Sequence, residues 1–109
     1  MARIVVLGLI NIETTVRVDQ FPLDYAPVRY PFHGVRSTVS GVGYNISKAL
    51  HTLGHEVRLC TLIGQDDAAA LVQAALARED LDTAHVLPML AQTAQSAILY
   101  DASGRRMIL

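Results

Sequence analysis

The segment STVSGVGYNISKALHTLGHEVRLCTLIGQD, residues 37–66, decides how the chain is to be read. It holds four glycines, one asparagine and a short amphipathic run in thirty positions. From Asn45 onward, Ile46, Ala49, Leu50 and Leu53 fall at i, i+3, i+4 and i+7, the stripe of a helix packed along one side. Gly54 follows where the C′ residue of such a helix belongs. The run EVRLCTLIG then reads as a buried strand. Asp66 and Asp67 can cap a further helix whose stripe is Ala68, Leu71, Val72, Ala75 and Leu76.

Upstream, RIVVLGLI is a near-continuous aliphatic and β-branched run, which predicts a central strand covered on both faces. Two polar residues, Asn11 and Glu13, follow at the C-terminal end of that run, the end at which open α/β sheets bind ligands. Val16 and Val18 then alternate with Arg17 and Asp19, as in a half-exposed strand. FPLDYAPVRYP carries three prolines in eleven residues and cannot be a central strand. Gly34 reads as a bulge or turn. Residues 14–40 are therefore expected to form a small, partly exposed β excursion. Downstream, LDTAHVLPM predicts a short strand ended by Pro88, and AQSAILYDASGRRMIL a strand, a turn at 102–104 and a strand. Strands alternating with helices give an α/β class with a mostly parallel sheet. Because the run RRMIL ends the chain inside a strand pattern, a piece of a longer protein is expected, with an uncovered sheet that self-associates when alone.

Composition narrows the function. The 109 residues are half hydrophobic and 17% charged, enough apolar surface for a single buried core and too much for disorder. A formal charge of −1, without a basic run, argues against a nucleic-acid groove. No apolar stretch reaches the ~20 residues that span a bilayer, so no membrane partner is expected. Cys60 has no second cysteine to pair with, which suits a cytoplasmic location, and in its apolar run it reads as a small buried hydrophobe.

Gly41 and Gly43 ahead of a helix permit unusual φ values and bring a ligand close to unpaired helix amides, or else they serve only the turn. No Gly-Lys-Ser/Thr follows, so the turn is not a Walker loop, and no third glycine completes a dinucleotide fingerprint. Asn45 is either an N-cap or a group that donates to and accepts from a hydroxyl. His51 and His55 stand at i, i+4 without a third ligand and read as a solvated helix end. Asp66 and Asp67 read as caps before magnesium ligands, and Arg105 and Arg106 as a solvated hairpin turn.

Together, Gly41, Gly43, Asn45, Ser47, Gly54 and Gly64 resemble the N-terminal signature of the PfkB, or ribokinase-like, carbohydrate kinases. The spacers match, with six residues between Ser47 and Gly54 and nine between Gly54 and Gly64. VVLGLINIETTVRVDQFP is similar to the family's opening strand with its Asn-x-Asp sugar site, and TAQSAILYDASGRRMIL to a later hairpin beside the sugar. The resemblance covers essentially all 109 residues and implies a ribokinase-like α/β fold with a small β lid at about 14–40. It implies that Asn11, Glu13 and Asn45 bind substrate hydroxyls, with Gly41, Val42 and Gly43 lining the same place and Gly41 letting the sugar approach the backbone. It further implies ATP and Mg2+ as cofactors, a sugar or nucleoside as the small-molecule partner, and a homodimer contact through the lid.

Three residues depart from the pattern. Ser40 stands for glycine or alanine, Glu13 for aspartate, and Val42 for the lysine of ribokinases; GVG-x-N is more similar to nucleoside-type members. The family's catalytic base is an aspartate in a Gly-Ala-Gly-Asp turn, but none of the seven glycines here precedes an aspartate. The resemblance thus implies a substrate-binding part of an ATP-dependent kinase, inactive by itself. The other function it leaves open is a non-catalytic sugar-binding or regulatory protein.

Overall fold

The computed structural model describes residues 1–109. In chain order the elements are β1 (Arg3–Leu7), β2 (Asn11–Arg17), β3 (Val35–Ser40), α1 (Val42–Thr52), β4 (Glu56–Gly64), α2 (Asp67–Arg78), β5 (Val86–Leu90), β6 (Gln95–Tyr100) and β7 (Arg106–Ile108). Two compact units share them. One is Met1–Ile12 with Val39–Ala94, the other Glu13–Thr38 with Gln95–Leu109.

The first unit is α/β, as the sequence predicts. Its sheet is parallel, ordered β1-β4-β5, with Arg3 opposite Glu56 and Leu7 opposite Cys60, then Thr61 opposite Val86. The core joins Ile10 and Ile12 to Leu59 and Ile63 of β4, to Val72, Ala75 and Leu76 of α2, and to Val86. Fully burying each of the valine, leucine and isoleucine side chains here is worth about 1.5–3 kcal/mol, so this cluster holds the unit together.

Several expectations are corrected here. β4, not β1, is the central strand. β1 lies at a sheet edge, and its side chains alternate, Ile4 and Val6 half-buried against Val5 at 60% and Leu7 at 82% exposed. The run RIVVL is apolar on both faces, but the helices cover one. Leu62 and Leu87 are exposed as well. Pro88 lies inside β5 opposite Ile63 instead of ending it; β5 is the other edge, where a residue without an N–H costs no ladder bond.

α1 begins at Val42, three residues before the expected start, and it buries a different face. Gly43, Tyr44 and Ser47 are inside, whereas Ile46, Ala49 and Leu53 of the predicted stripe are exposed. Small side chains at 43 and 47 let this face approach closely, and that proximity outweighs hydropathy in choosing it. The helix ends as predicted: Gly54 at φ 91° sends its N–H to the His51 carbonyl while the His55 N–H reaches Leu50. α2 also starts as predicted, with the Asp66 carboxylate accepting from the Ala69 N–H at 3.0 Å. Leu71 of its expected stripe is exposed.

The second unit carries most of a sheet ordered β3-β2-β6-β7. The Arg17 N–H donates to the Gly34 carbonyl, and the Thr14 and Ser37 hydroxyls meet at 2.8 Å, the register of an antiparallel pair. β6 and β7 are antiparallel, Ile98 opposite Ile108. Asp101 holds the turn between them: Oδ1 accepts from the Ser103 and Arg105 backbone N–H groups and from the Ser103 hydroxyl at 2.6 Å. The Ser103 hydroxyl is also the chief cause that lowers the Asp101 carboxyl below its usual range. The Arg105 guanidinium lies 5.7 Å from the Phe21 ring centre. No helix of the chain is long and apolar enough to cross a membrane.

Candidate functional site

The turn that joins β1 to β2 and the first turn of α1 are built on each other. Gly41 is the N-cap, at φ 108°, with no side-chain cap bond. In its place the Leu9 carbonyl accepts from the Gly43 N–H at 2.9 Å and the Tyr44 N–H at 3.3 Å. Two of the four amides that a helix start leaves unpaired are thus satisfied by the neighbouring turn. The Asn45 N–H donates to the Gly41 carbonyl. The approach is backbone on backbone: a Cβ on Gly43 would stand 2.5 Å from the Gly8 carbonyl carbon, and one on Gly41 would stand 2.5 Å from the Leu9 oxygen.

This geometry revises the reasons given to three residues. Asn45 is not the N-cap; it lies a full turn inside α1 and is exposed. A Cβ on Gly41 would meet Leu9 and Ile10, so its glycine also answers to a positive φ and to the chain's own backbone. Asn11 opens β2 instead of closing β1, and Gly8 to Ile10 make the turn between the two strands. Asn11 is buried at 9% exposure between two anchored neighbours. On one side Leu9 is held by α1; on the other the Ile12 N–H donates to the Ala94 carbonyl at 3.0 Å.

Asn11, Gly41, Val42, Gly43 and Asn45 thus belong to the first unit, clustered around one backbone junction. Val42 is exposed at the first position of α1. Glu13, two residues along β2 from Asn11, belongs to the second unit and is half-buried. A cleft of about 270 Å³ in the second unit is lined by Val16, Val18, Leu23, Arg29 and Tyr30 among others and includes none of the predicted residues.

The sequence did not point to Thr93 or to the Leu9 carbonyl. Thr93 is 3% exposed, and both its backbone N–H and its hydroxyl donate to Asp66, at 2.8 and 2.7 Å. Its hydroxyl oxygen accepts from the Gly64 N–H at 2.9 Å. These bonds, the Thr93 hydroxyl first, hold the Asp66 carboxyl below its ordinary value. A lone threonine in AQTAQS carries no pattern, and a backbone carbonyl carries none in any sequence.

The residues present do not fit a nucleotide with its metal. No three His, Cys, Asp or Glu side chains converge. The glycine turn spends two of its four unpaired helix amides on Leu9, half of what a phosphate chain would draw on there.

The fold and this junction define an α/β protein with a parallel sheet and a glycine turn seated on the β1–β2 turn. The profile of the pfkB family carbohydrate kinases matches residues 1–109, and the chain belongs to that family. Its ribokinase-like fold recurs in solved structures. A Burkholderia thailandensis nucleoside kinase in complex with inosine matches with TM-score 0.75 and 20% identity over 96% of this chain. Arabidopsis thaliana ribokinase complexed with ribose and ATP matches with TM-score 0.81 and 18% identity over 96%. A microbiome-derived acarbose kinase matches with TM-score 0.75 and 25% identity over 99%. The chain spans about a third of their length: 35%, 34% and 35% respectively. No curated protein matches it at the same significance.

Proposed function

We propose that the protein transfers a phosphoryl group from ATP to a hydroxyl of a sugar or nucleoside, and that this chain supplies part of its substrate site. Asn11 carries the reading. It is a side-chain amide, able to donate and accept at once, at the start of a strand and fixed between Leu9, whose carbonyl accepts from Gly43 and Tyr44, and Ile12, whose N–H donates to Ala94. A hydroxyl-binding group gains selectivity from such fixing, because the cost of orienting it has been met during folding. Glu13 would accept from a second hydroxyl, reaching one methylene further than aspartate. Gly41, Val42, Gly43 and Asn45 would border the same substrate from the first turn of α1.

Family membership supports the kinase chemistry, and the inosine and ribose complexes among the structural relatives support a nucleoside or a pentose as substrate. ATP, with Mg2+, supplies the phosphoryl group in this reading; no residue of this chain is assigned to it, and the catalytic base is sought outside these 109 residues. Residues 14–40 are proposed as the lid that keeps water from the reacting hydroxyl, so that ATP is not simply hydrolysed. The same segment is the proposed homodimer contact.

The test is a thermal-shift screen of sugars and nucleosides on the full-length protein, followed by ATP consumption with each hit. A ligand at a hundred times its Kd adds about 2.7 kcal/mol of stability, several degrees in melting temperature. The reading predicts at least one hit that is phosphorylated. A protein that phosphorylates no sugar or nucleoside contradicts it.

A further inference from the structure

The Asp66 carboxylate does more than cap a helix. Oδ1 accepts from the Ala69 N–H at the start of α2 and from the Thr93 hydroxyl, while Oδ2 accepts from the Thr93 N–H. The Thr93 hydroxyl in turn accepts from the Gly64 N–H at the end of β4. One carboxylate and one hydroxyl therefore tie the start of α2, the end of β4 and the segment after β5 into a single knot. Gly64 completes the fit: a Cβ there would stand 2.2 Å from the Thr93 nitrogen and 2.4 Å from the Gln92 carbonyl carbon, so only glycine lets the segment lie on the strand end.

The next residue carries the connection onward. Ala94 presents its carbonyl to the Ile12 N–H at 3.0 Å, and Ile12 directly follows Asn11. Asn11 is thus anchored on its far side by a chain of bonds that begins at Asp66, every member of it within the first unit.

We propose that Asp66 and Thr93 are positioning residues: through the Ala94 carbonyl they set where β2 begins and so aim the Asn11 amide at the substrate. The role rests on the sugar-binding reading of Asn11. Neither residue touches substrate; both act on the backbone that carries Asn11. Thr93→Val keeps the shape of the side chain and removes the donor to Asp66 and the acceptor for Gly64 together. Thr93→Ser retains both.

The experiment uses the full-length protein with the sugar or nucleoside that the screen returns, ribose and inosine being the first probes. Thr93→Val is expected to raise KM about tenfold with kcat changed less, since small misplacements of a binding group carry large penalties, and Thr93→Ser is expected to restore KM. Gly54→Ala, which strains the turn after α1 at φ 91° with nothing within 4 Å of the added Cβ, serves as the destabilised control and should leave KM in place. In parallel, hydrogen exchange at the Ile12 amide should quicken by about tenfold in Thr93→Val relative to the control. Unchanged Ile12 exchange overturns the connection itself. Faster exchange with unchanged KM in an active protein overturns the positioning role and leaves the kinase reading standing. A wild-type protein inert toward every probe overturns the kinase reading, and the positioning role with it.

Discussion

Gly43→Ala is the sharpest perturbation of the junction that carries Asn11. A methyl placed there would meet the Gly8 carbonyl carbon at 2.5 Å and the Gly8 Cα at 2.8 Å, whereas ordinary contact begins at 3.4 Å. Both neighbours are backbone, so no side chain can swing aside, and the α1 start must retreat by close to an ångström. Overpacking of this kind costs about 1–3 kcal/mol. The retreat also strains the 2.9 Å bond from the Gly43 N–H to the Leu9 carbonyl, a loss of about 1 kcal/mol. Alanine's better helix propensity returns up to about 1 kcal/mol. The net expectation is a loss of about 2 kcal/mol, or about 10 °C in melting temperature, read by calorimetry or urea denaturation. Gly54→Ala is the comparison. Nothing stands within 4 Å of its Cβ position, but φ is 91°, so it should cost about 1 kcal/mol through the backbone alone. If Gly43→Ala proves as stable as the parent, the tight junction is wrong.

Other outcomes follow from the same contacts. Ser47 is fully buried with its hydroxyl unpaired, so Ser47→Ala should raise stability by about 0.5–1.5 kcal/mol in the same unfolding assays, against a loss if the hydroxyl has a bonded partner. Asp66 and Asp101 are both held below the 3.8 of a free carboxylate. Their contribution is therefore complete above that value and drains away as pH falls through their lower folded values. Acid titration should show stability lost below about pH 4, and Asp101→Asn should flatten part of that loss; an unaltered profile would contradict the assignment. The bare sheet face with Val5, Leu7, Leu62 and Leu87 should make the 109-residue chain self-associate when it is expressed alone. Lysines at Leu7 and Leu62 should shift it toward monomer in sedimentation, and a parent chain that is already a monodisperse monomer speaks against this.

Much of this was legible in the sequence, for identifiable reasons. Gly54 and Asp66 announce helix ends because their local chemistry, a positive φ and a side-chain cap, depends on few neighbours. The β6–β7 hairpin was legible because Asp101 to Gly104 carry the turn themselves. The buried face of α1 was not. Hydropathy selects Ile46, Ala49 and Leu53, while the structure selects the side on which Gly43 and Ser47 are small enough for backbone contact. β1 was misplaced for a related reason: aliphatic residues on both faces state what a strand tolerates, not how many layers cover it. At the site, residue types and spacing marked Asn11, Gly41 and Gly43, but the Leu9 carbonyl and the Thr93 knot are products of chain crossing and leave no trace in periodicity.

The central claim is that Asn11 holds a substrate hydroxyl, and calorimetric titration tests it most directly. Using the full-length protein and the sugar or nucleoside identified by the screen, Asn11→Ala should bind about tenfold more weakly than the parent, as expected for one lost hydroxyl hydrogen bond. Circular dichroism on the same samples confirms that the variant is folded. An Asn11→Ala protein that is folded and binds the ligand as tightly as the parent would contradict the account.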